Sequence, residues 1–430
     1  MKLSHALAAF LALSLAVEVP ATDLLLKNAR LVDPASRTVQ QTDILIVNGR
    51  IAPAPAPLPA HDLQTLDLSG RWIIPGLIDL HVHSYGNVFP DDTDEDLDPT
   101  LTARLMLYCG VTAYLELGTR NLEDIFSIRN RQRTGAASAG NEADIYCAGV
   151  AFGPWSLTSP AKARENIAGY IKQWQPDVIK ILNGGFSNRG GITPETLTAA
   201  VATARQAGTK TVVHISKWEN ARVTLDAGAT AITHFDDDET IPDDVVKQWA
   251  ATPTVSIPTM AVQSDMANFT TNPTLLDSPL LRAVAPAAGI QSYRNPAHFS
   301  GKGNRAVRWQ QEDMANDTRT FNKLAAAGIP MLTGSDTCNL GTFQGFSLHR
   351  EIKLMQEAGY PAWDALAAAT TRAAAFLGRP SGNHPGEIAE LVVLEADPLT
   401  DTANTQKISL VIHHGRIVDR AALLKRPPQG

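Results

Sequence analysis

Eight short β-branched segments alternate with Ala-rich helical ones through the middle of this 430-residue chain. That alternation restricts the fold more than any other feature. The strand-like segments are Trp72–His83, Val111–Leu117, Asp144–Val150, Asp177–Leu182, Thr211–Ile215, Ala229–His234, Thr254–Pro258 and Ile329–Gly334. Helical stretches such as Pro194–Gln206, Trp218–Ala227 and Trp363–Leu377 lie between them. Strands alternating with helices predict a parallel sheet, and eight is the number that closes a barrel. The expectation is therefore an α/β fold, a (β/α)8 TIM barrel over residues 73–385. Met260–Asn322 is too long for a crossover connection and reads as an insert at about 260–322, of the kind that serves as a lid or substrate loop.

The chain ends follow another pattern. Asp23–Val32 and Thr42–Ile51 alternate like half-buried strands, split by a turn at Asp33-Pro34, and Ile388–Leu394 and Ile408–Val418 repeat the pattern. The expectation is one small β-sandwich domain assembled from residues 22–72 and 386–425. Ala52–Pro59 is a Pro/Ala-rich link. Before all this, Lys2 precedes an apolar run from Ala6 to Val17, and Val19-Pro20-Ala21 offers small residues for a peptidase. A buried N-terminal helix is the alternative, but the short run favours a signal peptide over residues 1–21, and a periplasmic or secreted protein.

Composition narrows the function classes. With 37 Lys+Arg against 44 Asp+Glu the net charge is −7, and 44% of residues are hydrophobic, so disorder is excluded. Without a long basic run, neither nucleic acid nor an anionic membrane is an expected partner of the mature chain; a small molecule is, and a homo-oligomer is admitted. Cys109, Cys147 and Cys338 make neither a disulfide framework nor a CxxC zinc spacing.

The chemistry-bearing residues cluster at strand ends. In Pro75-Gly76-Leu77-Ile78-Asp79-Leu80-His81-Val82-His83 the two histidines project to one face of one strand, where they could hold a single ion. His214 and His234 end two consecutive predicted strands, on the face where barrels keep their active sites. Asp336 follows the last strand and reads equally as a ligand that also accepts a proton, or as a helix cap. Lys180 sits between isoleucines, and either snorkels to solvent or has a task that offsets its desolvation. Two acidic runs, Asp91–Asp98 and Asp236–Glu239, are expected to rim the active face; they are either solvated loops or a preference for cationic or neutral substrates. Cys338 is read as a small buried residue rather than a nucleophile. In the insert, Arg294 beside Tyr293 is a candidate grip for a substrate carboxylate, since its planar fork suits that group.

Taken in order, these motifs resemble the amidohydrolase superfamily, in particular its binuclear branch of prolidase-like and imidazolonepropionase-like enzymes. The resemblance rests on PGLIDLHVH, GVTAYLELG at Gly110–Gly118, DVIKI with Lys180, VVHI with His214, AGATAITHF with His234 and GIPMLTGSDT with Asp336. It extends to the closing Gly386–Leu394 and Asp397-Pro398-Leu399. It implies two divalent metal ions per chain. His81, His83 and Asp336 would hold one, His214 and His234 the other, with Lys180 bridging both as a carbamate. Nitrogen and oxygen ligands without thiolate suit zinc, with manganese or cobalt as alternatives. Two departures appear: Thr233-His234-Phe235 stands where many relatives have Glu-His-Gly, and Gly149–Trp155 lacks a His-containing loop.

The implied activity is that of an exported metal-dependent hydrolase of amide bonds, peptide-like or N-acyl amino acid, in which a metal-bridging hydroxide attacks the carbonyl and Asp336 shuttles the proton. A lactonase or phosphotriesterase would use the same ligands. A deaminase fits less well, because Glu219 is one residue out of register with an HxxxE pairing to His214 and Lys180 would be superfluous. A non-catalytic binding protein would be expected to lack some of the ligands.

Overall fold

The computed structural model describes residues 23–53, 58–59, 63–87, 94–96, 98–134, 141–184, 191–236, 238–299 and 302–425. The expected signal peptide, the middle of the Pro/Ala link, Asp91, Asp92 and Asp237 lie outside the described residues. Asp98 is the cap of the helix Pro99–Tyr108, accepting from Leu101 N at 2.9 Å.

The central strands are parallel and form two runs. Asp144–Cys147, Val111–Glu116 and Leu77–Val82 make one; Ala151–Phe152, Val178–Asn183, Lys210–Ile215, Ala231–Thr233 and Val255–Ile257 make the other. Both of their faces are largely buried, as expected for strands covered on each side, mostly through apolar side chains but also with Asp79, His81, Glu116 and Lys180. Residues 329–337 pass between the runs. Ser256 bridges Met331 and Val82 bridges Thr337, both in the parallel sense. At the far side Asp177 N donates to Cys147 O at 2.9 Å. The fold is thus α/β with parallel sheets, consistent with a barrel-like domain.

The expected last strand, Ile329–Gly334, makes single bridges rather than a regular ladder. Pro330 has no N–H to give. A Cβ on Gly334 would lie 2.7 Å from His81 Cβ, so glycine lets this segment pass tightly over the histidine.

The expected strand Trp72–His83 is two strands that serve different sheets. Trp72–Pro75 pairs antiparallel with Leu391–Leu394, while Leu77–Val82 pairs parallel with Val111–Glu116. The break is Gly76, whose N–H donates to Glu390 O at 2.8 Å. Trp72–Pro75 joins the chain ends: Arg416–Ile417, Ile408–His413, Leu391–Leu394, Trp72–Pro75, Leu24–Asp33, Thr38–Val47 and Arg50–Ile51 are bonded in that order, and Gln64–Asp67 adds to Leu24–Asp33. The two termini therefore share one sheet, which buries Leu24, Leu26, Ile46, Ile73, Leu391 and Ile412 together.

The insert is helical, with Met260–Thr271, Pro279–Val284, Ala287–Arg294 and the long Lys302–Ala326. A buried bidentate pair fixes its first helix. Arg350, on the helix Phe346–Glu357, reaches Asp265 through Nε at 3.0 Å and Nη2 at 2.8 Å. Next to it the Glu351 carboxylate accepts from Ala261 N at 2.8 Å. Removing either member of such a pair strands a buried charge at a cost of about 3–5 kcal/mol, so the helix has little freedom to shift.

The junction at Gly76 is testable. A Cβ there would collide with the Thr112 side chain on the neighbouring strand. Gly76→Ala is expected to destabilise the fold by about 1–3 kcal/mol, as overpacked core positions do. Adding Thr112→Ala should recover part of the loss in a thermal or urea melt. Equal midpoints for wild type and Gly76→Ala would show that the strands can part.

Candidate metal centre

The ligand candidates come together because the parallel strands end side by side. His81 and His83 leave Leu77–Val82 on one face, and His214 and His234 leave two adjacent strands. His81 and His83 rings lie 5.3 Å apart between centroids, His81 and His234 5.0 Å, and His214 and His234 4.5 Å. Asp336 reaches the group from the last segment. Its Oδ1 is 3.2 Å from both His81 Nε2 and His83 Nε2, and its Oδ2 is 3.9 Å from His234 Nε2. Lys180 Nζ stands 3.1 Å from His81 Nε2. Every one of the six is here, and all but His83 and His214 are buried.

The protons on these groups say what the centre can hold. His83 Nδ1 lies 3.0 Å from Gly118 O, an acceptor only, so that nitrogen carries the hydrogen. Thr259 donates its hydroxyl to Pro258 O at 2.7 Å and accepts from His234 Nδ1 at 2.6 Å. Both rings therefore turn Nε2 toward Asp336. Asp336 Oδ1 is buried without a hydrogen-bond donor, as is His81 Nδ1 without a partner. Lone pairs facing lone pairs need a cation between them. His81, His83 and Asp336 place one donor atom each within 4.8 Å of the others, the compactness a single metal ion requires.

Electrostatics agree with this reading. Burial, reinforced by neighbouring positive groups, pushes His81 and His214 well below the usual imidazole value and His234 down to about 4, which keeps them neutral and able to ligate. Burial opposes charge on Asp336, but the imidazoles around it hold its carboxyl well below the usual range, and Asp336 in turn raises His83, against burial, above the usual imidazole value. Burial also drives Lys180 down to about 8, and among the described residues it has no carboxylate within 4 Å. The backbone is strained in the same place: Asp336 (φ 52°), His234 (φ 67°) and Thr259 (φ 55°) occupy the left-handed region that side chains avoid.

Three supporting residues were not anticipated. Asp79, buried, accepts from His81 N at 3.1 Å, Ser335 N at 3.0 Å and Ser335 Oγ at 2.6 Å, tying the first strand to the Asp336 segment. It lies two residues before His81, on the same face, which was the available signal. Glu116, pushed up to about 7 by burial, lies 3.9 Å from His83 Nδ1 and binds Ser84 Oγ at 2.7 Å. Thr259 had no signal, since its role depends on a loop conformation.

A cavity of about 680 Å³ opens on His214, His234 and Asp336, and the insert supplies Val262, Met266 and Trp309 to its wall. The substrate-gripping pair is not brought there. Arg294 binds Asp277 at 2.8 Å, while Tyr293 is buried among Phe269, Phe299 and Phe343 and accepts from Gly341 N at 2.6 Å. Their helix, Ala287–Arg294, packs away from the cavity because Tyr293 is its apolar anchor. Cys338 is buried and is not among the lining residues. A second His/carboxylate group, Asp144, His413 and His414, sits where the terminal sheet meets the strand Asp144–Cys147.

Thr259 offers a test of the centre. Groups that orient a ligating imidazole are worth about 10–100-fold in metal affinity. Thr259→Val should weaken zinc binding by that factor in a competition with a chromophoric chelator, and Thr259→Ser should not. Unchanged affinity in Thr259→Val would remove His234 from the ligand set.

The amidohydrolase family model matches residues 72–418. An uncharacterized protein of Mycobacterium tuberculosis is 26% identical over 387 residues, covering 86% of this chain and 90% of that one. Among solved structures, a Xaa-Pro dipeptidase with bound methionine in the active site superposes with a TM-score of 0.73 at 18% identity, covering 92% of this chain and all of the other. Molinate hydrolase gives 0.71 at 18% identity, over 96% and 99% of the two chains. At such identities the superpositions establish the shared fold, while the family match spans both the strand that carries His81 and the segment that carries Asp336. The chain belongs to the amidohydrolase family and is a hydrolase acting on carbon–nitrogen bonds.

Proposed function

We propose that the chain is an exported, metal-dependent amidohydrolase that cleaves a peptide-like amide on a closed eight-stranded barrel, with a composite β domain from both termini. The observation that carries the reading is the convergence of one donor atom each from His81, His83 and Asp336 within 4.8 Å, with Asp336 Oδ1 buried and left without a hydrogen-bond partner. His214 and His234, facing the cavity, would hold a second ion, and Lys180, 3.1 Å from His81 Nε2, would contribute an oxygen ligand as a carbamate. Carbamylation converts a buried ammonium into an anionic oxygen ligand and so removes the cost of keeping Lys180 charged. Zinc suits the donor set, with manganese or cobalt next. Two divalent ions held there would supply Lewis acidity and a water acidic enough to be a nucleophile near neutral pH.

The chain's own groups do the rest. The walls of the cavity hold the amide against His214 and His234. Asp336, ionised and in reach of both positions, takes the proton released as water oxygen bonds to the carbonyl carbon. It then delivers that proton to the nitrogen as the C–N bond breaks, leaving a carboxylic acid and an amine. Amines are poor leaving groups, so the second transfer is needed. The N-acyl amino acid form of the substrate loses its expected anchor, because Arg294 is engaged with Asp277 outside the cavity.

Two variants separate the assigned roles. Asp336→Asn keeps an oxygen ligand and loses the base, so turnover should fall by about two to four orders of magnitude with part of the metal retained. Lys180→Ala should lose metal and activity together, and short carboxylic acids should restore some of both. Elemental analysis of wild type after metal and bicarbonate loading should give about two ions per chain. Rescue of Asp336→Asn but not Lys180→Ala would reverse the assignment.

A further inference from the structure

We infer that the cavity selects amides bearing an uncharged apolar group, aryl or branched alkyl, which is held against Trp309, Met266 and Val262, and that it discriminates against a carboxylate on the same group. This rests on the proposed amide hydrolysis and names its substrate class.

Three observations carry it. First, Trp309 is 46% exposed, an unusual position for a large aromatic ring, and the side it exposes lines the cavity. The adjoining helix Met260–Thr271 contributes Val262 and Met266 to the same lining. Second, this wall is preorganised. Gln310, next to Trp309, accepts from Ala267 N at 2.9 Å and donates to Val262 O at 3.0 Å, clamping the long helix to the first one. The Arg350–Asp265 pair holds that first helix to the body of the protein. The ring is therefore presented rather than loosely solvated.

Third, the polar side of the cavity is acidic. Among the described lining residues Lys217 is the sole ammonium or guanidinium, and it is engaged by both Asp236 and Asp238. Asp236 is fully buried and also accepts from Trp218 N at 3.1 Å, so this arrangement is built into the loop. Away from the ligand set, one cation against two carboxylates leaves the Lys217 side of the cavity locally negative. A substrate group lying on that side would meet those carboxylates rather than an ion at His214 and His234. Asp313, on the same helix as Trp309, is raised to about 6, first by burial and then by Asp238, Glu312 and Asp236 around it. A substrate carboxylate would meet that negative charge, whereas an aryl or isopropyl group would meet Trp309.

The experiment uses the metal-loaded full chain and two matched pairs of amides. One is an acetanilide carrying a para isopropyl group or a para carboxylate; the other is an anilide carrying the same two groups on the acyl part. The isopropyl member of at least one pair is expected to have the higher kcat/KM by about tenfold or more, the scale on which apolar pockets discriminate. Trp309→Ala should raise KM for that member and leave kcat nearly unchanged, with Trp309→Phe retaining most of the affinity. Asp238→Asn should narrow the gap by improving the carboxylate member. Calorimetry with the two arylacetones in which CH2 replaces the scissile N–H reads binding without turnover, and the isopropyl ketone should bind more tightly. Absence of turnover for every amide would overturn the proposed function while the ketones still test the pocket. A preferred carboxylate member, or equal loss for both members in Trp309→Ala, would overturn this inference alone.

Discussion

Facing acceptors are the constraint around which this molecule is organised. His83 and His234 have their Nδ1 protons committed to Gly118 and Thr259, so both present Nε2 to a buried carboxylate. Each buried polar group left unsatisfied costs about 1–3 kcal/mol, and each side chain forced to positive φ about as much again. A ligand that binds only the folded state stabilises it by mass action. An ion held between these groups would offset the cost of burying them unpaired, and would to that extent stabilise the folded chain.

The rest of the structure supplies rigidity to that centre from three directions. Asp79 binds the first strand to the Asp336 segment through Ser335, and Gly334 lets the two backbones approach. Gly76 divides one continuous apolar run between two sheets, so that the terminal sheet braces the strand carrying the histidines. On the open side, Arg350 and Glu351 hold the insert by two of its backbone and side-chain groups. Loops bearing function tolerate variation, but here the wall of the cavity is fastened by buried charge.

Much of this was legible in the sequence, and the failures have physical causes. The ligand candidates were readable because spacing by two puts His81 and His83 on one face, and because His214, His234 and Asp336 end strands whose C-terminal edges share one rim. Lys180 was readable as an anomaly, a charge inside an apolar strand. The boundary at Gly76 was missed: the apolar run continues on both sides of Pro75-Gly76, and the break signal of that dipeptide reads equally as the lead-in to a single strand. Thr259 was invisible because its function depends on a left-handed turn. Arg294 shows the opposite error: residue type suggested a carboxylate grip, but direction is set by the helix, and the anchor Tyr293 turns it toward Asp277.

The two His/carboxylate groups show why composition alone does not define a metal site. Asp144, His413 and His414 are as compact as His81, His83 and Asp336. Yet both nitrogens of His413 are already engaged, Nδ1 with Glu390 at 2.6 Å and Nε2 with Glu142 O at 2.9 Å. His414 Nε2 reaches Asp144 Oδ1 at 3.0 Å, and Arg379 closes on Asp144 Oδ2 at 3.0 Å. Both ring nitrogens of His413, His414 Nε2 and the two Asp144 oxygens are thus already engaged, so a metal would have to break several charge-assisted contacts to enter. This second group instead joins the terminal sheet to the parallel strands as an ion-pair network. At the first group the protons point outward and the acceptors inward, and that orientation is what marks it as the centre built to receive a cation.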